Sequence, residues 1–161
     1  MNTALEQSHV RMIISPRLKL SLEEKETLLR FCSLLGQLGP NIFHLYPEDE
    51  VPAEDVAGHD QKGTGLYGPL GDPRRVKLAL PVDFKAPYIL ARQWEGPPVR
   101  LVFQSLLQLA VFLLCHEMGH RDAPINDEDK RKKYEKLCDA NALVLMRDLG
   151  DEMIALPTRE K

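Results

Sequence analysis

Cysteine pairs, charge of one sign and long apolar runs are all missing from this chain. Its 161 residues hold three cysteines, Cys32, Cys115 and Cys138, an odd number with no paired spacing. That excludes a secreted disulfide framework and leaves buried free thiols as the expected role. Lys and Arg number 21 against 24 Asp and Glu, a formal net charge of -3, which gives no electrostatic reason to expect a nucleic-acid partner. The longest apolar stretch, Leu101 to Cys115, is broken by Gln104, Ser105 and Gln108 and is short for a membrane span. Repeats and low-complexity tracts are absent. The first residues, Met1 to Arg11, show no charged start followed by an apolar block. The expected location is therefore cytoplasmic, with no membrane partner. Nothing in the sequence fixes an oligomeric state.

What is present reads as one domain over 1–161, divided into an N-terminal helical part (1–45), a Gly/Pro-rich loop (46–75) and a core (76–150). Ser21-Leu22-Glu23-Glu24 is a capping box. Leu22, Leu28, Leu29, Cys32, Leu35 and Leu38 follow at helical spacing, and Gly39-Pro40 closes the run. Gly63 to Gly68 formally fits a dinucleotide fingerprint, but no strand precedes it and Pro69 stands where a helix should begin. Val76 to Val82 reads as a strand that Pro81 places at an edge or near its end, with Tyr88 to Arg92 as its neighbour. Gly96-Pro97-Pro98 is expected to launch the apolar helix at about 98, running to about 121. A last helix is expected over about 129–149, ended by Gly150.

The apolar helix ends in His116-Glu117-Met118-Gly119-His120. Histidines four apart lie one above the other on a helix, so both imidazoles reach one metal ion, and the glutamate between them is positioned to take a proton from a bound water. The bland alternative, two solvated histidines at a helix end, fits the strongly apolar context less well. Gly119 allows a neighbouring backbone to approach. A catalytic zinc needs a third protein ligand and a position left for water. Glu135 and Asp139, at i and i+4 on the last helix, face one side: Glu135 is expected as the ligand, and Asp139 as the acceptor for a ligand histidine or as the ligand itself. Without the upstream motif this pair would read as surface carboxylates beside Lys132 and Lys136.

His116-Glu-Met-Gly-His120 followed by Glu135-x-x-Cys138-Asp139-x-x-Ala142 resembles the gluzincin pattern, and within it is most similar to the ImmA/IrrE-type metallopeptidases. Cys138 stands at that family's alanine, Asp139 at its Asn/Asp and Asn141 at its phenylalanine, while Leu145-Met146 echo its tail. In an alternative register Asp139 becomes the ligand. The resemblance covers about residues 76 to 147. It implies an α+β fold in which a small β-sheet packs on a long active-site helix and a second ligand-bearing helix, a minimal zincin-like domain. It also implies one Zn2+ per chain on His116, His120 and Glu135, Glu117 as general base and a peptide or protein substrate. Tyr134, His59, Tyr67 and Arg121 have chemistry suited to an oxyanion donor, and the Val76 to Val82 edge is a place for a substrate strand. Two rivals remain. One is a metal-binding regulatory protein that does no hydrolysis. The other is a phosphohydrolase of the His-Asp type, which requires an all-helical fold.

Overall fold

The computed structural model describes residues 2–7, 9–50, 65–66, 74–93, 96–122, 131–150 and 154–160. Within these, only the backbone is described for Thr3, Gly65, Leu66, His120, Arg121, Asp122, Arg131, Lys132, Tyr134 and Gly150. The fold is α+β. Three α-helices and two small sheets occur among the described residues, in two compact units, Met1–Asp83 and Phe84–Lys161.

The first unit is a five-stranded sheet with one helix. Val10, Met12 and Ile14 alternate along one face, and β2 (Val10–Ile14) forms an antiparallel pair with β1 (Thr3–Gln7). Helix α1 (Leu22–Gly36) then leads to β3 (Ile42–Pro47), which runs parallel to β2. After a short 3-10 turn at Glu48–Glu50 come β4 (Gly65–Leu66) and β5 (Arg75–Leu80), in the order β1-β2-β3-β5-β4. The capping box of α1 is present: Ser21 accepts from the Glu24 amide, and Glu24 accepts from the Ser21 amide. Of the expected apolar face, Leu28, Leu29, Cys32 and Leu35 are buried, while Leu22 and Leu38 are exposed.

Strands β1 to β3 correct the reading of 1–45 as helical and of 46 onward as loop. Residues Val10 to Ile14 and Ile42 to Tyr46 carry β-branched and aromatic side chains and find partners on both sides, which favours strand. A second correction concerns β5. It lies between β3 and β4 and does not pair with Tyr88–Arg92. Its burial is continuous rather than alternating, as expected of a strand between others. Its second neighbour, β4, covers it at Lys77 and Leu78, so that part of the expected edge is already paired. Of the Gly63 to Gly68 stretch, only Gly65–Leu66 is described, as a strand antiparallel to β5, and the rest lies outside the described residues.

The second unit contains β6 (Tyr88–Arg92), β7 (Val99–Phe103), α2 (Leu106–Asp122), α3 (Arg131–Gly150) and β8 (Thr158–Arg159). The strands form an antiparallel sheet in the order β6-β7-β8. Here the start of the apolar helix is corrected from about 98 to 106. Val99-Arg-Leu-Val-Phe103 is a strand, and the helix is opened by Ser105, whose hydroxyl accepts from the Gln108 amide at 3.0 Å. Gln108 reaches back to accept from the Gln104 amide at 2.7 Å. This Ser-x-x-Gln start closely follows the capping-box pattern. Helix α2 is apolar all round and buried from Leu109 to Met118, which marks it as a core helix. No helix among the described residues is long and apolar enough to cross a membrane.

Candidate metal centre

The last turns of α2 place two ionisable groups inside: His116 is 4% exposed and Glu117 3%. Burying such groups is unfavourable unless they are paired. Pairing for His116 comes from α3, which crosses α2 at Gly119. A methyl group on Gly119 would lie 2.9 Å from Cys138 Sγ and 3.3 Å from Cys138 Cα, so only glycine permits this approach. Glu135 and Asp139 flank Cys138 on α3 and both turn to His116. The His116 ring bonds to Asp139 Oδ1 through Nδ1 at 2.6 Å and to Glu135 Oε2 through Nε2 at 2.8 Å.

Desolvation alone would lower the His116 pKa. The hydrogen bonds to Asp139 and Glu135, with the charges of Glu117 and Asp139, outweigh it and raise the value to about 9. The imidazolium then donates from both nitrogens, one to each carboxylate. Asp139 is further fixed by Arg92, a buried guanidinium at the end of β6, whose Nε lies 3.3 Å from Asp139 Oδ2. Arg92 joins the cluster without having been singled out in the sequence. Its only signal was phase, since Tyr88, Leu90 and Arg92 share the less exposed face of β6.

The expected ligands thus stand as follows. His116, Glu135 and Asp139 are brought together, and Glu117 is buried beside His116 in sequence. The side chain of His120 lies outside the described residues, as do those of Tyr134 and Arg121 and the whole of His59 and Tyr67. Among the described residues no group of three His, Cys, Asp or Glu side chains is arranged to hold a metal ion. The donor set nonetheless has chemistry suited to zinc: an imidazole Nε2 and a carboxylate oxygen face one another, while Nδ1 rests on a second carboxylate. His116 and Glu135 would hold the ion in place of the proton that now lies between them. None of the three cysteines is in a disulfide and all are buried, and burial pushes the Cys32 thiol up.

No family model, curated protein or solved structure matches the chain.

Proposed function

We propose that this protein is a zinc-dependent hydrolase with a minimal zincin-like site, acting on peptide bonds. The observation that supports the reading is the asymmetric environment of His116, with Asp139 on Nδ1 and Glu135 opposite Nε2. This division of labour suits Glu135 as ligand and Asp139 as the acceptor that fixes the tautomer of a ligand histidine. His116, His120 and Glu135 would hold the ion. When bound, zinc supplies a Lewis acid that makes water acidic near neutrality and polarises a carbonyl. Glu117 accepts the proton from the attacking water and returns it to the leaving amine. Arg92 holds Asp139, and Asp139 holds the His116 ring. The two-sheet fold departs from the all-helical architecture that the His-Asp phosphohydrolase alternative requires.

Metal content and turnover test this in sequence. The purified chain should hold about one zinc, lost in the His116→Ala/His120→Ala double variant. Its peptidase activity should fall about 100-fold or more in Glu117→Gln, with zinc retained. Zinc without any hydrolysis in a broad peptide screen would favour the regulatory metal-binding alternative. A chain that takes up no zinc even on incubation would end the proposal.

A further inference from the structure

We infer that the second unit carries a pocket for an apolar carboxylate, formed where α3 covers the β6–β8 sheet. Strand register and helix phase build it. Arg92 opposes Val99 and Leu101 opposes Arg159 across the antiparallel ladders, so these four side chains share one face of the sheet. Lys136, Ala140 and Leu143 repeat at helical spacing on the side of α3 that meets this face. Between them lies a cavity of about 240 Å³.

Its chemistry is divided by depth. Leu101 is 5% exposed and Arg92, paired with Asp139, is 8% exposed, so these residues mark the inner end. Val99, Leu143 and Pro157 add a half-buried wall of carbon. Lys136 and Arg159 are exposed and stand at the mouth. The lining contains one carboxylate, Asp139, already held by His116 and Arg92. An apolar interior under two cations selects an occupant with a branched hydrocarbon group and a carboxylate next to it. Arginine can grip such a carboxylate with two parallel hydrogen bonds, and lysine adds a point charge. A peptide ending in an apolar residue and a free short-chain carboxylic acid both present this chemistry. The pocket is lined by Asp139 but not by His116, Glu117 or Glu135. It shares Arg92 and Asp139 with the proposed centre and lies beside it, and it goes beyond the hydrolase reading without requiring a bound metal.

Titration of the full chain, followed by methyl NMR, tests the assignment. The probes are N-acetyl-leucine, N-acetyl-leucinamide and 4-methylpentanoate. N-acetyl-leucine should shift the Val99, Leu101 and Leu143 methyls and bind at least tenfold more tightly than its neutral amide. Arg159→Met with Lys136→Met should weaken it at least tenfold while leaving the free-state methyl spectrum in place; both residues are exposed and belong to no part of the proposed centre. Equal binding of acid and amide, undiminished binding by the double variant, or shifts confined to Met118 beside His116 would each overturn the assignment. Tighter binding of N-acetyl-leucine than of 4-methylpentanoate assigns the pocket to peptide ends. Equal binding assigns it to small acids, and both support the pocket.

Discussion

The two compact units bury polar side chains in different ways. In the first, Thr27 donates to the Glu23 carbonyl one turn back, and the Ser15 hydroxyl accepts from the Arg17 amide, so these groups complete the backbone beside them. Among the described residues of that unit, Lys77 on β5 is the buried side chain that carries a formal charge. In the second, Arg92, His116 and Glu117 are buried, and Asp139 and Glu135 join them from a helix about twenty residues further along the chain. Local satisfaction of a hydroxyl costs a fold little. Gathering five ionisable groups from three elements is a poor way to gain stability, because desolvation offsets much of the attraction. The proposed function would give the cluster in the second unit a purpose besides stability, and the first unit supplies the contrast.

The sharpest break of that comparison separates Glu135 from Asp139. Glu135→Gln should lower zinc affinity by more than the roughly 100-fold that losing an outer hydrogen-bonding partner costs, whereas Asp139→Asn should stay within about 10- to 100-fold. Competition with a chelating dye measures both. The reverse ranking would make Asp139 the ligand and support the alternative register.

Proton linkage gives the next largest effect. The raised pKa of His116 adds stability to the metal-free chain that is fully present below the unfolded value of 6.5 and lost as pH rises through about 9. The full difference is on the order of 3 kcal/mol. Urea unfolding of the chelator-treated chain at pH 6 and pH 9.5 should show it, and Asp139→Asn should shrink it. A pH dependence unchanged by Asp139→Asn would place its source outside this cluster.

How much of this was legible follows from where the signals sit. The His116 to His120 spacing and the Glu135/Asp139 pair are local helical patterns, and both helices formed where periodicity placed them, apart from the start of α2. That start was misread because Pro98 is a strong local signal, whereas Val99 to Phe103 is apolar enough to pass for helix until β6 and β8 pair with it. Strand pairing was the least legible layer. Val76 to Val82 and Tyr88 to Arg92 look like neighbours in sequence, yet β5 finds β3 from more than thirty residues upstream. Nothing in a strand's own residues names its partner when the partner is distant. The role of Arg92 was hidden for the same reason, since its ion pair spans β6 and α3.

Two glycines sharpen the comparison at smaller scale. Each sits on a helix where a neighbouring side chain occupies the space of a missing Cβ: Gly36 of α1 against Val10 Cγ2 of β2, and Gly119 of α2 against Cys138 of α3. Alanine at either position gains about 1 kcal/mol of helix propensity and incurs about 1 to 3 kcal/mol of overpacking, for a net loss of about 1 kcal/mol. The stability losses should therefore be similar in thermal or urea unfolding. Their chemical consequences should not be. Val10 belongs to an apolar strand face, so Gly36→Ala should leave zinc affinity unchanged. Cys138 lies between Glu135 and Asp139, and its Cα is itself in the way. Gly119→Ala should therefore push Cys138, and with it the turn that carries both carboxylates, a few tenths of an ångström from His116. A weakened zinc affinity in Gly119→Ala alone, at matched stability, would tie the close helix crossing to the centre. Equal affinity in both variants would mean that the crossing serves packing only.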